Sequence, residues 1–178
     1  MLDPFQLQCL LWRAFQTSPA FPGDVLSRVG GIVYDTEVAV PRIVIDTNVL
    51  ISSVRSRRGA SFRLLSLVGG QEFEITISVP LLFEYEDALM RIVPSVMTAS
   101  DVQDLLDYLC EVADKRHVFY LWRPMLSDPR DDHVLEAAVA GGCDGIVTFD
   151  QRDFAGAEQF GVRVMGPKEF LFEIGELK

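Results

Sequence analysis

The feature that most constrains this chain is the run Arg42-Ile43-Val44-Ile45-Asp46-Thr47-Asn48-Val49-Leu50. Its β-branched start is apolar at every position and bounded by an acid, so it reads as a short strand buried within a sheet. After Asp46, Thr47 and Asn48 the apolar spacing becomes helical. That places Asp46 at the carboxyl end of a strand. In an open α/β sheet ligands bind at that edge, where loops leave a crevice and the next helix points its N-terminus. Two readings of Asp46 stay open: a helix N-cap accepting from free backbone N–H groups, or a group that takes part in chemistry.

The alternation continues to the end of the chain. The spacing predicts strands at 42–46, 73–78, 117–122, 145–149 and 162–165, with helices near 48–54, 59–68, 79–90, 100–114, 133–140 and from Pro167 onward. Gly69-Gly70 and Gly141-Gly142 end two of the helices, and Pro80 suits a first turn, where its missing N–H removes no bond. Ser100 with Gln103 reads as a capping box for the fourth helix. Leu81, Leu82, Tyr85 and Leu89 form one buried stripe, Leu105, Leu106, Leu109 and Val112 a second, and Val134, Leu135, Ala138 and Val139 a third. Strands separated by helices imply an α/β fold with a mainly parallel central sheet covered on both faces.

Residues 1–40 stand apart. Leu7, Leu10, Leu11 and Phe15 have helical spacing, but Pro19, Pro22, Gly23 and Gly30-Gly31 interrupt it, so the segment reads as an N-terminal extension ahead of a domain at 41–178. It lacks the basic start, apolar stretch and cleavage site of a secretory signal. An alternative is that translation begins near Val40.

Composition narrows the function. No apolar run approaches the ~20 residues of a membrane span, and the three separated cysteines (Cys9, Cys110, Cys143) lack metal-ligand spacing, which suits reduced thiols and a cytoplasmic setting. A formal charge of −10 argues against a protein that coats nucleic acid nonspecifically, but not against an enzyme that meets phosphate through a metal. A nucleotide-binding module is disfavoured because no Gly-rich loop follows the first strand. A phospho-aspartate hydrolase is disfavoured because no second Asp follows Asp46 by two residues.

Asp46 and Asp150 each end a strand, while Glu84 and Asp132 lie in or near the first turns of helices. Along one edge of a parallel sheet these four converge although they are distant in sequence. Carboxylates gathered and desolvated repel, so a fold keeps such a cluster chiefly when a divalent cation neutralises it. With oxygen ligands and no His or Cys expected near the set, the implied ion is Mg²⁺ or Mn²⁺, and the implied chemistry is phosphodiester hydrolysis.

Asp46-Thr47-Asn48 after a strand, Glu84 in Leu82-Phe83-Glu84-Tyr85, Asp132 opening a helix and Thr148-Phe149-Asp150 together resemble the PIN-domain nucleases. The similarity is strongest to the VapC-like branch, the toxin components of toxin–antitoxin systems, and spans about residues 42–174. It implies a three-layer α/β/α domain. It also implies that Asp46, Glu84 and Asp132 are catalytic and metal-binding acids, with Asp150 at a fourth position where this branch often has Asn. Thr47, Asn48 and Thr148 then shape the site. Asp131 replaces Asp132 as the ligand if the register slips by one. The implied partners are an RNA substrate and an antitoxin protein, with a homo-oligomer compatible and no membrane involved.

The remaining polar residues have two readings each. Arg55-Ser56-Arg57-Arg58 and Arg63 are either a solvated turn or contacts to RNA phosphates flanking the cut. Asp128 and Asp153 read as turn or cap residues, Glu86 and Asp87 as a solvated helix face, and His117 and His133 as lone histidines without a ligand role. The function expected is a Mg²⁺- or Mn²⁺-dependent endoribonuclease. The rival is a catalytically weak PIN-like interaction module that keeps the acidic pocket and acts through protein contacts.

Overall fold

β1 (Arg42–Ile45) lies in the middle of a five-stranded parallel sheet, with β2 (Glu74–Ser78) on one side and β4 (Gly145–Val147) on the other. β3 (Asp114–Arg116) and β5 (Arg163–Met165) form the edges, giving the order β3-β2-β1-β4-β5. These coordinates are a computed structural model, and the structure describes residues 40–93, 95–118 and 125–177. The sequence reading of residues 1–39 lies outside them.

The centre of the sheet is apolar because it is covered. Ile43, Val44 and Ile45 are buried, as are Ile75, Ile77, Ile146 and Val147, each contributing about 1.5–3 kcal/mol by leaving water. The helices follow in order: α1 (Thr47–Arg55), α2 (Ala60–Leu67), α3 (Val79–Ile92), α4 (Ala99–Val112), α5 (Asp132–Gly141) and α6 (Pro167–Glu173). α5 packs on β1 to β4, α3 on α1, α4 and α5, and α2 on both α1 and α6. The close approach of α5 to β2 requires Gly141, where a Cβ would stand 2.7 Å from Thr76 Cγ2.

Two expected elements shift. A strand runs at Asp114–Arg116, where the preceding helix was expected to end, and of the strand expected at 117–122 only His117 and Val118 are described, both outside any strand. An edge strand has one free side, and here it presents Asp114 and Arg116, joined to each other at 2.7 Å, instead of an apolar run. Residues 119–124 lie outside the described set. The cap of α4 is Thr98 rather than Ser100: Thr98 Oγ1 accepts from Asp101 N (3.2 Å) and Asp101 Oδ2 accepts from Thr98 N (2.8 Å). Thr98-Ala99-Ser100-Asp101 satisfies the same reciprocal pattern two residues earlier, with Asp in place of Gln. Cys110 and Cys143 are free thiols.

Candidate active site

The strand order reverses between β1 and β4, since the chain goes from β1 to β2 on one side and returns to β4 on the other. That is a topological switch point, where the carboxyl ends of adjacent strands open a crevice. Ile45 is in register with Val147, so the residues that follow, Asp46 and Thr148, emerge side by side. Asp46 N donates to the Val147 carbonyl (2.9 Å), fixing the backbone at the exit.

Thr148 is fully buried and uses its whole hydrogen-bonding capacity. Its hydroxyl donates to Asp46 Oδ2 (2.6 Å) and accepts from Asn48 Nδ2 (3.1 Å) and from Asp150 N (3.0 Å). Asn48 closes the ring by donating to Asp150 Oδ2 (2.9 Å) and accepting from Phe149 N (3.3 Å). Thr47, the first residue of α1, is buried. Asp46 makes no side-chain cap to α1, so the capping reading of that residue fails. Burial pushes its carboxyl above the usual range against the Thr148 bond, with the charges of Glu84 and Asp150 adding to the rise.

Glu84 reaches the same edge from α3. Burial opposes its ionisation, but His133 Nε2, 2.5 Å from Glu84 Oε2, outweighs that and holds the carboxyl below its ordinary value. One residue on, Tyr85 is buried and its hydroxyl donates to the Ile45 carbonyl, tying α3 to the end of β1. Burial, then the charges of Asp46 and Glu84, keep that phenol protonated well above its usual range.

The two acids at the start of α5 differ. Asp132 is buried, and its Oδ1 accepts from Leu126 N (2.8 Å) and Met125 N (3.1 Å). Its carboxylate therefore holds the loop before α5. Asp131 is half-buried, and its carboxyl is pushed up to about 6, first by burial and then by the charges of Asp46, Asp128, Asp153 and Glu84. Electrostatically it is Asp131 that shares the pocket.

The outlying residues sort as follows. Asp128 is a turn residue whose carboxylate accepts from Arg130 N (3.0 Å). Glu86 and Asp87 are exposed, and Asp87 pairs with Arg91 along the helix. Arg55, Arg57 and Arg58 are exposed at and just past the far end of α1, roughly 14 Å along the axis from Asp46 at 1.5 Å per residue. Arg63 is engaged by Glu176. Sequence reasoning treated Tyr85 only as core and His133 as lone; a Glu beside a stripe aromatic, and a His just after a helix-opening acid, were the available signals.

The pocket offers oxygen donors from Asp46, Glu84, Asp131 and Asp150, the chemistry that suits a hard divalent cation. Two of these carboxyls are raised by burial and mutual charge, which such an ion would relieve. Among the described residues no three His, Cys, Asp or Glu side chains yet stand close enough to hold an ion together. The donor types fit a hard divalent cation.

A five-stranded parallel sheet with carboxylates gathered at its switch point defines an α/β protein of the PIN fold. The PIN domain family model matches residues 42–152, more than half of the chain, and the chain belongs to that family. No curated protein matches it in sequence. Among solved structures it is similar to VapBC2 from Rickettsia felis bound to a DNA fragment from their promoter. The TM-score is 0.50 at 15% identity, over 69% of this chain and 98% of that chain, a likeness of fold. No helix among the described residues is long and apolar enough to cross a membrane.

Proposed function

We propose that this PIN domain is a divalent-metal-dependent endoribonuclease and the toxin of a toxin–antitoxin pair. The observation that carries the reading is the electrostatic convergence of Asp46, Glu84 and Asp131, with Asp150 oriented by Asn48, at the switch point. These four acids would hold Mg²⁺ or Mn²⁺, with Asp131 taking the position that the family resemblance gives to Asp132. The ion, when bound, polarises the phosphoryl oxygen and lowers the pKa of a water. The protein's part is to fix its oxygens before substrate arrives: Thr148 orients Asp46, His133 keeps Glu84 ionised, and Tyr85 fixes the helix that carries Glu84. Carboxylate oxygens accept hydrogen bonds from the attacking water and orient it.

The similarity in fold to VapBC2 supports an antitoxin as the protein partner, and the free thiols suit a cytoplasmic setting. The deciding experiment incubates a mixed RNA pool with the full chain, with and without Mn²⁺, beside Asp46→Asn. Cleavage that needs both the metal and Asp46 supports the reading; cleavage indifferent to either overturns it. The alternative, an interaction module, is favoured by Val79, Phe83 and Met90, exposed along one side of α3. It requires intact folding and no metal-dependent cleavage.

A further inference from the structure

Thr148 and Asp150 bracket a residue that belongs to neither the core nor the acidic pocket. Phe149 is 53% exposed, yet its backbone is held: its N–H donates to Asn48 Oδ1, and the residues on either side are bound to each other through the Thr148 hydroxyl. An aromatic ring is thus presented to solvent on the hydrogen-bonded loop that joins Thr148 to Asp150. It lines a cleft of about 720 Å³, within the range of small-ligand sites, together with Ser52, Ser61, Lys168, Glu169 and Phe172. Phe172 is 48% exposed, and Lys168 Nζ lies 5.8 Å from its ring centroid. Glu169 is turned back to accept from Gly166 N (3.3 Å). Lys168 forms no ion pair among the described residues, whereas Arg42, Arg63, Arg91, Arg116 and Arg163 all have carboxylate partners.

We propose that this cleft is a nucleotide subsite: it seats the residue of a single-stranded RNA next to the scissile phosphate, stacking its base on Phe149 with Phe172 as the second wall. Lys168 takes the flanking phosphate. The inference rests on the nuclease reading and names where its substrate lies. Two observations select RNA as the occupant. The first is adjacency, because Phe149 is the chain neighbour of Asp150 and its N–H is bound to Asn48, the residue that orients that acid, so the cleft starts beside the acid pocket although none of the four acids lines it. The second is chemistry, since flat aromatic surface beside a cation matches a base and its phosphate, in a protein whose net charge of −10 otherwise repels polyanions. Stacking of this kind tolerates any base, so the subsite contributes grip more than sequence choice.

The test uses the full chain and two readouts. In Mn²⁺-dependent cleavage of a short single-stranded RNA, Phe149→Ala should raise KM about 5- to 100-fold, the effect of losing one base stack. The kcat should change less than about threefold, and Phe149→Trp should restore KM. An abasic nucleotide beside the cut should raise KM of the wild type and remove the further effect of Phe149→Ala. An unchanged KM, or a loss confined to kcat, overturns the subsite. If the wild type cuts no RNA, the nuclease reading fails, and fluorescence anisotropy with the same labelled RNA still decides the cleft: Phe149-dependent binding upholds it as an RNA site, and its absence overturns it. Phe149-dependent self-association that RNA does not compete away assigns the cleft to protein and also overturns the proposal.

Discussion

Asp131 and Asp132 are adjacent in the chain and serve opposite ends. The Asp132 carboxylate accepts backbone N–H bonds from Met125 and Leu126, while the Asp131 carboxyl lies in the field of Asp46 and Glu84. One holds a loop at the start of α5, and the other pays the electrostatic cost of the pocket.

Substituting the two should therefore give opposite phenotypes. Asp132→Ala leaves the buried N–H of Leu126 without its acceptor, and removes the bond from the more exposed Met125, and should destabilise the fold by about 1–3 kcal/mol. Asp131→Asn removes a repelled charge and should leave the metal-free protein at least as stable at neutral pH, while abolishing cleavage. Urea denaturation beside the cleavage assay checks both. A silent Asp132→Ala with an unstable Asp131→Asn would reverse the assignment.

The pH dependence of stability follows from the same acid. Its folded value, about 6, lies above the ordinary carboxyl value, so the folded state binds the extra proton. Its contribution to stability is complete below the unfolded value and is lost as pH rises through about 6. Asp46 is shifted in the same direction. Glu84 is shifted downward, and its contribution is lost instead as pH falls through its lowered value. Metal-free wild type should lose melting temperature between about pH 5 and 7, and Asp131→Asn should lose less. Parallel curves for the two proteins would remove Asp131 from the pocket.

Tyr85→Phe keeps the buried ring and deletes the hydrogen bond to the Ile45 carbonyl. The expected loss is about 1–2 kcal/mol, measurable by urea denaturation, because a buried acceptor loses its donor. A neutral result would mean that packing alone sets the position of α3 against β1.

The arginines past α1 are expected to contact phosphates away from the cut. Replacing Arg55, Arg57 and Arg58 with Ala should raise KM and reduce the slope of log binding constant against log salt by about 2, at ~0.7 per lost phosphate contact on a single strand. Arg63→Ala should leave the slope unchanged, since Arg63 is paired with Glu176. An unaltered slope in the triple variant would return that run to solvent.

A chain beginning at Val40 should keep the metal-dependent activity, because every residue placed in the pocket lies between 46 and 150. Cleavage assays on that shortened chain against the full chain check this. Folding without activity would make residues 1–39 part of the machinery.

The sheet and the acids were legible because strong local signals announce them. β-branched runs ending in Asp gave β1 and β4, and proline and glycine marked several helix boundaries. The third strand was illegible because an edge strand needs no apolar run, and Asp114-Lys115-Arg116 reads as polar turn. Choosing between Asp131 and Asp132 needed the loop at Met125 and Leu126, a contact that no spacing rule encodes. His133 could be paired with Glu84 only once α3 and α5 were seen side by side. Phe149 was quoted within a motif, but its exposure follows from the tertiary turn rather than from its neighbours.

The bond between Asp46 and Thr148 spans 102 residues, because β4 must slot in beside a strand made near the start of the domain. During synthesis at roughly 5–20 residues per second, about 5 to 20 seconds separate the emergence of the two halves of the pocket. Until β4 emerges, Asp46 and Asn48 are without their partners Thr148 and Asp150. The hydrogen-bonded ring at the switch point is therefore completed only once β4 has been made.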